Sequence, residues 1–343
     1  MLTTGNYART QSNSLCILHT HFLQERKIIV KMLRSNKHLK RIWAARYLYA
    51  IFIPVAIFFV LFAYAPMFNM QTGGILMAFT RFRVRATFPD LEWVGLHWFR
   101  VLWDRPDFWD AFRNTLIISF GRLLVEFPMP IILAILMNEI TRSAPKRVFQ
   151  TIFTFPHFLS WILVYSVLQD LFQFSGLVNV MLGHFGIEPI LFLANSSRTI
   201  NLSLLFGSSI WRSAGWGAII YMASISGIDS ALYEAAKVDG ANRWHCIRHV
   251  TWPGIKPTVV VLLILAVGNI MNGGFDQIFQ FRNGVNRPVI EILDTYVFHF
   301  GFGQGGMNQS FAAAAGLFRS VINFALLLTA NKIARLLNSD GLF

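Results

Sequence analysis

Several charged side chains stand inside long apolar stretches of this sequence, where a charge is costly unless it is paired or faces water. Arg122 and Glu126 are four residues apart, so they share one face of a helix and are expected to neutralise each other. Arg212, Asp276 and Arg319 have no oppositely charged neighbour at helical spacing. Each of these three is expected either to pair across helices or to line a polar path.

Aromatic and amide groups accompany these charges, and together they could bind a sugar. Aromatic rings offer flat apolar faces to pyranose rings, while amide and carboxyl groups bond hydroxyls. Two segments supply such groups, namely Trp211, Arg212, Trp216 and Tyr221 in the first and Asn269, Asn272 and Asp276 in the second. In the second segment, spacings of three and four predict one helical stripe that faces a cavity or water. The alternative is that the aromatic rings are ordinary core or interface residues.

A cation in such a cavity would also favour an acidic sugar. At low dielectric an arginine attracts a carboxylate strongly, so Arg212 or Arg319 would select uronate-containing oligosaccharides if either one reached the substrate. If both arginines are paired elsewhere, this argument is lost.

The sequence offers little for catalysis. A membrane-embedded enzyme would need intramembrane histidines or paired carboxylates, and none cluster. His157, next to Pro156, is expected to be a core or rim residue. Cys16 and Cys246 are expected to be free thiols without metal-ligand spacing. No GxxxxGK[ST] phosphate-binding loop occurs, so the chain is not expected to hydrolyse ATP itself.

The composition is that of a membrane protein. Of 343 residues, 55% are hydrophobic and only 14% are charged, against about 25% charged in soluble domains. The mean hydropathy is +0.49. The net charge of +13 could indicate nucleic acid, but cationic loops held on the cytoplasmic side by the positive-inside rule explain it better, and no nucleic-acid partner is expected.

The apolar runs predict an all-α polytopic fold with six transmembrane helices. They cover about 46–68, 115–137, 148–172, 200–225, 257–279 and 311–336. Although 63–65 resembles a signal cleavage site, the first run is longer than a signal peptide and follows a long basic tail. It is therefore expected to remain as a span.

The distribution of Lys and Arg predicts that both termini are cytoplasmic. The transmembrane domain then covers 46–336, with a cytoplasmic tail at 1–45 and a cytoplasmic C-terminus at 337–343. A large outer loop is predicted at 69–114 and a cytoplasmic loop at 227–256. The role of 1–31 stays open, as either a surface helix or an extension upstream of Met32.

The cytoplasmic loop reads as two short helices with a break. Ser230 is expected to cap the first, and Glu234 suits its positive end. Gly240 is expected to supply a left-handed turn. A second helix would run from Asn242 to Pro253, with Pro257 opening the fifth span. An apolar face of small residues, Ala231, Leu232, Ala235 and Ala236, permits close approach by another protein, although a linker lying on lipid headgroups is the alternative.

The spacing in this loop resembles the EAA loop of permease subunits of binding-protein-dependent type I ABC importers. The matching positions are Glu234, Ala235, Ala236, Asp239, Gly240, Ala241 and Pro253. Val250 and Trp252 depart from the usual Ile and Leu but stay apolar. Further segments, 93–96, 114–116, 215–221, 294–297 and 316–323, are similar to the carbohydrate group, and in particular to permeases for alginate and pectin fragments.

The resemblance implies a subunit of an oligosaccharide importer in the bacterial inner membrane. The loop would be a coupling helix seated on a cytoplasmic ATPase dimer, with Glu234 paired to a basic group there. ATP and Mg²⁺ would bind the ATPase, and this chain would hold no cofactor or metal. A second permease, which in the resembling group is usually a distinct chain, and an extracytoplasmic solute-binding protein would complete the complex. Import of a non-sugar solute, or a stand-alone transporter or channel, remains as the alternative.

Overall fold

The computed structural model describes residues 44–68, 74–82, 91–303 and 309–336, and the fold is all-α apart from one two-stranded ribbon, as predicted. Nearly all of the N-terminal tail, with Cys16, and the whole C-terminus 337–343 lie outside these ranges. The chain divides into two units, Met1–Thr72 and Gly73–Phe343.

In the first unit, helix α1 spans Arg46–Phe68 and matches the first predicted span. Its 23 residues rise roughly 35 Å at 1.5 Å per residue, enough to cross the hydrocarbon core. The helix includes Pro54 and a π-helical turn, Val60–Tyr64, and none of its residues is buried.

The second unit begins within the segment predicted to be the outer loop. A 3₁₀ turn, Ile75–Phe79, leads into strand β1 (Thr80–Arg81), which pairs antiparallel with β2 (Glu92–Trp93). Arg81 forms an ion pair with Glu92 across this ribbon at 3.1 Å. Helix α2 (His97–Trp103) follows, and the Trp98 indole N–H donates to the carbonyl of Thr80 at 2.9 Å.

The next elements show one clear error in the predicted spans. Helix α3 covers Pro106–Asn138, starting earlier than the second predicted span. The predicted span 148–172 is two helices, α4 (Ser143–Thr154) and α5 (Trp161–Phe172), separated by a 3₁₀ turn at Phe155–Phe158. The break has a local cause, because Pro156 has no N–H to donate and Ser160 caps the new helix by accepting from Leu163 N–H.

Helices α6 (Leu177–His184), α7 (Arg198–Ser226) and α8 (Ser230–Val238) come next. Helix α9 then runs without interruption over Arg243–Gly268, so the predicted stop at Pro253 is wrong. A π-helical turn at Ile247–Thr251 comes just before that proline, and Trp252 N–H donates to the carbonyl of Ile247 five residues back. The added residue shifts the hydrogen-bond ladder, which accommodates the proline ring. Pro257 lies inside α9 rather than at its start.

The fifth predicted span also ends too late, because α9 stops at Gly268 rather than at 279. A non-helical segment leads to Gly274, whose φ of +84° suits only glycine. Short helices α10 (Phe275–Phe281), α11 (Arg287–Ile290) and α12 (Leu293–Phe302) follow. Helix α13 (Gln309–Leu336) then matches the sixth predicted span.

Within the described residues, five helical stretches are long and apolar enough to cross a membrane. They are Arg46–Phe68, Pro106–Asn138, Trp161–His184, Arg243–Gly268 and Gln309–Lys332. Helix α7, the fourth predicted span, has 29 residues but is not among these five. The six-span count and the orientation stay predictions.

Three buried apolar clusters hold the second unit together. One joins α2, α3, α12 and α13 around Phe108 and Tyr296. A second joins α3, α7 and α9, and the third joins α3, α7 and α10 to α11. Helix α7 packs closely on α4 at Gly215, where an added Cβ would lie 2.0 Å from the Phe153 carbonyl oxygen.

Candidate functional site

Two charged residues face the interior of the bundle from a π-helical turn of α3. The turn covers Arg122–Glu126, and both side chains are about four-fifths buried. Arg122 Nε lies 3.6 Å from Glu126 Oε1, which confirms that the two charges neutralise each other. The distance is too long for a hydrogen bond, so each group is held by other partners.

Those partners come from two other helices. Ser209 on α7 donates its hydroxyl to Glu126 Oε2 at 2.7 Å. Gln277 on α10 accepts from the Arg122 guanidinium. Its amide nitrogen donates to the Leu205 carbonyl and the Ser208 hydroxyl, at 2.7 and 2.9 Å. Gln277 is 1% exposed, so this network lies deep in the fold and ties α3, α7 and α10 together.

The break after α9 fits closely against the same arginine. At Gly274, an added Cβ would meet Arg122 Nη1 at 2.1 Å. A side chain there would overlap the guanidinium in its present position, so the arginine would have to move. At the start of the break, the Asn269 side chain donates to the Leu265 carbonyl and Asn272 donates to Asn269, at 3.0 and 3.2 Å.

A cavity of about 270 Å³ lies between α3, α7 and this break. On the same measure, one water molecule needs only about 10–15 Å³. Its polar wall consists of Ser119, Arg122, Glu126, Ser209, Ser213, Asn269 and Asn272. The non-helical segment after α9 contributes Asn269 and Asn272 to this wall, and in membrane proteins such backbone is tolerated where it lines a cavity.

Of the eight residues predicted for a substrate path, Asn269 and Asn272 line this cavity. The single stripe predicted for them with Asp276 is wrong, because α9 ends at Gly268 and Asp276 belongs to α10. Asp276 is exposed there.

The predicted residues of α7 lie elsewhere. Tyr221 is 3% exposed and packs in the apolar cluster between α3 and α9. Trp211 and Trp216 are each about half exposed. Trp216 stacks on His157 with ring centroids 4.6 Å apart, which gives that half-buried histidine an aromatic partner.

Arg212 and Arg319 are the two arginines among the eight predicted residues, and both have partners that could not be identified from the sequence. Arg212 Nε donates to the Leu159 carbonyl at 2.9 Å, and its guanidinium lies 4.8 Å from the centre of the Trp161 ring. It therefore satisfies the backbone at the break between α4 and α5. Arg319 forms an ion pair with Asp294 on α12. Neither arginine lines the cavity, so the acidic-sugar argument cannot rest on them.

The loop predicted to be cytoplasmic forms a second candidate site. Asp229, not Ser230, caps α8 by accepting from Ala231 N–H at 2.9 Å. The cap is shifted by one residue because the Asp229 carboxylate already reaches the first free N–H. Along α8 only Tyr233 and Ala236 are half-buried, while Glu234 and Ala235 are exposed. Val238 at its end is 89% exposed.

The turn after α8 agrees with the predicted role of Gly240. Its φ is +79°, and Ala241 N–H donates to the Ala236 carbonyl at 2.9 Å, which closes a left-handed helix end. Asn242 then caps α9 by accepting from His245 N–H at 2.9 Å.

Two contacts fix this loop to the helices beside it. The Tyr233 hydroxyl bonds the Thr251 hydroxyl of α9 at 2.9 Å, and Arg243 lies 3.9 Å from Glu139 at the end of α3. Cys246 is a free, buried thiol at the base of α9. In the parts of the chain that the structure covers, no group of three His, Cys, Asp or Glu could hold a metal ion.

Sequence reasoning missed Ser119, Ser209 and Gln277. Gln277 comes from a position 155 residues after its partner Arg122, and only the folded chain brings them together. One signal was present, because a charged pair in an apolar run requires additional hydrogen bonds.

Comparison with known proteins gives a family for the chain. Residues 126–338 match the family described as binding-protein-dependent transport system inner membrane component. Protein LplB of Bacillus subtilis is 38% identical over 87% of this chain and 91% of its own length. The polygalacturonan/rhamnogalacturonan transport system permease protein YteP of the same species is 38% identical over 92% of this chain and 96% of its own.

Solved structures give the same result. A chain of the crystal structure of a bacterial alginate ABC transporter in complex with alginate pentasaccharide-bound periplasmic protein aligns with a TM-score of 0.78. The identity is 33%, over 90% of this chain and all of that one. A bacterial ABC transporter involved in the import of the acidic polysaccharide alginate aligns with a TM-score of 0.76 and 34% identity, over 88% of this chain and 99% of that one.

Proposed function

This chain belongs to the inner membrane components of binding-protein-dependent transport systems, and from that premise we propose that it imports oligosaccharides into the bacterial cytoplasm. It is an ABC transporter permease, a non-catalytic membrane subunit whose ATPase is a separate chain. In this proposal it lies in the inner membrane with six spans and both termini inside.

Acidic, uronate-type oligosaccharides are the proposed substrates. One relative is named for the transport of polygalacturonan and rhamnogalacturonan, and one solved structure for the import of alginate, an acidic polysaccharide. The cavity wall suits a sugar of either kind, since it combines the Arg122–Glu126 ion pair with hydroxyl and amide groups. Asn269 and Asn272 are proposed to bond sugar hydroxyls, because they line that wall.

The single observation that carries the proposed transport mechanism is the exposure of α8 and its attachment to α9. It is a short, exposed helix with a small apolar face, bonded to α9 through Tyr233 and Thr251. A face of small side chains allows another protein to approach this helix closely, and an exposed apolar patch can mark such a contact. We propose that α8 seats on one ATPase of a dimer, with Glu234, Ala235, Ala236, Asp239, Gly240 and Ala241 at the contact and Pro253 within the helix above.

The partners follow from this arrangement. An ATPase dimer offers two seats and this chain fills one, so a second permease, proposed to be a distinct chain, fills the other. ATP and Mg²⁺ would bind the ATPase, and this chain would carry no cofactor. A solute-binding protein is proposed to deliver the sugar to the outer loops, as the alginate transporter structure includes a sugar-bound periplasmic protein.

Two other functions remain as competitors. The same architecture could import a non-sugar solute, but the relatives named for polygalacturonan and alginate count against this. A stand-alone transporter would have no use for an exposed coupling helix.

The test is site-directed crosslinking in membranes that contain the whole transport system. Ala235→Cys, in a chain with Cys16 and Cys246 replaced by serine, should crosslink to the ATPase. Leu96→Cys, which is also exposed but lies in the predicted outer loop, is the matched control and should not. Failure of Ala235→Cys to capture the ATPase, or its labelling by a membrane-impermeant reagent from outside, would contradict the proposal.

A further inference from the structure

Two histidines stand four residues apart near the start of α9. His245 and His249 are both exposed, and their imidazole rings are inclined by only 15°, with centroids 5.9 Å from each other. Side chains at this spacing lie one above the other on a single helical face. Two histidines four apart on a helix are also an arrangement that binds zinc in metalloenzymes. The pair therefore has the spacing of two ligands to one metal ion.

The hydrogen bonds of His245 determine which of its ring nitrogens carries the proton. Asn242 Oδ1 accepts from the His245 backbone N–H at 2.9 Å, which identifies that atom as the amide oxygen. His245 Nδ1 lies 2.8 Å from the same oxygen, and an amide oxygen can only accept. Nδ1 therefore carries the proton, which leaves the lone pair of the neutral ring on Nε2.

His249 has the same tautomer for a related reason. Its Nδ1 lies 3.1 Å from the backbone carbonyl oxygen of His245, which also can only accept. Among the described residues, no group bonds Nε2 of either ring. Histidines that bind metals almost always donate their other ring N–H to a carbonyl, a carboxylate or water, which fixes the tautomer and the ring orientation. Both rings already have this second bond and keep a free Nε2.

The separation of the rings is close to that of two imidazoles on one ion. With metal–nitrogen distances of about 2 Å and a tetrahedral angle, the two ring centroids would be about 5 Å apart. The observed separation is 5.9 Å. Because both side chains are exposed, small rotations about their side-chain bonds are enough to close the difference.

We propose that His245 and His249 bind a divalent transition-metal ion, of the zinc, nickel or copper class, through their Nε2 atoms. Imidazole nitrogen is a preferred ligand of these ions. Two protein ligands leave the remaining coordination positions to water, so the ion is exchangeable and is not a cofactor of transport. This site goes beyond the proposed function and does not depend on it.

The neighbouring charges make the imidazole nitrogens essential to this site. Arg248 precedes His249 and is exposed, so its charge opposes a bound cation. Arg243 lies 3.9 Å from Glu139, which offsets its charge in part. Binding at this position therefore depends on the two ring nitrogens and not on a general attraction for cations. Neutralising Arg248 should strengthen it.

The experiment measures metal binding by the complete, nucleotide-free transporter, purified without a polyhistidine tag. Zn²⁺ is titrated by calorimetry to obtain the affinity. Cu²⁺ is the second probe, because it has the highest affinity in its row and its electron paramagnetic resonance spectrum counts the nitrogen ligands. The difference between the unmodified complex and each variant isolates the contribution of this site. The unmodified complex should show copper bound by two imidazole nitrogens.

His245→Gln and His249→Gln should each lower the Zn²⁺ affinity of the site at least tenfold, since losing even a supporting partner of a ligand costs about 10- to 100-fold. Each should also change the copper spectrum from two nitrogen ligands to one. Arg248→Gln should raise the affinity. Thermal unfolding of each variant without metal checks that these exposed substitutions leave the fold intact.

His184→Gln is the matched control. His184 is exposed, and its Nδ1 bonds the Val180 carbonyl oxygen at 2.8 Å, but no second histidine stands at helical spacing from it. This variant should change neither measurement. Copper spectra that are the same with and without His245, or an equal loss of affinity in His184→Gln, would overturn the assignment. So would an unmodified complex in which no copper has two imidazole ligands, because that result would indicate an adventitious ion only.

Discussion

Helix α8 and the polar cavity differ in how many of their contacts this one chain supplies. Helix α8 exposes most of its surface and uses two side chains, Asp229 and Tyr233, to stay capped and attached. The cavity is built from hydrogen bonds that cross three helices, and only a few of its polar atoms lack partners. Substitutions in α8 should therefore affect assembly and transport, while substitutions around the cavity and its supporting helices should affect stability or selectivity.

The substitution with the largest expected effect tests helix α8. Glu234→Arg should reduce transport by more than about tenfold, since reversing a charge at a protein contact replaces attraction by repulsion worth several kcal/mol. The free energy of unfolding of the isolated chain should hardly change, because Glu234 is exposed. Uptake in proteoliposomes and thermal unfolding in detergent measure the two.

Ser230→Ala is the control for this substitution. Ser230 is exposed on the same helix, and Asp229 provides the cap. If Glu234→Arg lowered the stability of the chain but left transport unchanged, α8 would not be a surface that contacts a partner.

The substitution with the next largest effect tests the close packing of α7 on α4. Gly215→Ala should lower the free energy of unfolding by about 1–3 kcal/mol, the usual cost of forcing an extra methyl into a packed interior, because its Cβ would overlap the Phe153 carbonyl oxygen. Gly207→Ala on the same helix meets nothing within 4 Å and should be neutral or slightly stabilising. Denaturation in detergent measures both, and equal effects would show that close packing of α7 on α4 is unimportant.

The smallest effect concerns the contact that links α8 to α9. Tyr233→Phe keeps the ring and removes the hydroxyl that bonds Thr251. It should cost about 0.5–1.5 kcal/mol and should lower the amount of sugar transported per ATP hydrolysed. A double-mutant cycle with Thr251→Val isolates the bond. Additive effects of the two substitutions would mean that the bond does not contribute.

The same contrast explains what the sequence could reveal. The turn at Gly240 depends on residues that are close in sequence, so its left-handed conformation could be predicted. The helix cap was predicted one residue late, because serine and aspartate are both good caps and stand side by side. The ion pair Arg122–Glu126 could also be predicted, because its two residues are four positions apart on one helix.

The cavity could not be predicted in this way. Arg319 forms an ion pair with Asp294 on another helix, and Arg122 donates a hydrogen bond to Gln277, which is distant in the sequence. The stripe expected for Asn269, Asn272 and Asp276 failed because helical periodicity was extended through Gly273 and Gly274, where the helix had already ended. Such sites depend on tertiary packing, which local patterns do not encode.

The π-helical turn at the base of α9 has a mechanical consequence. Because it accommodates Pro253, the 26 residues from Arg243 to Gly268 form one unbroken rod, roughly 39 Å long at 1.5 Å per residue. In the proposed mechanism, a displacement of the end of this helix that lies beside α8 would be carried along the helix. The first non-helical backbone after this helix is the segment that ends at Gly274, which supplies Asn269 and Asn272 to the cavity wall beside Arg122, so the displacement would reach that wall.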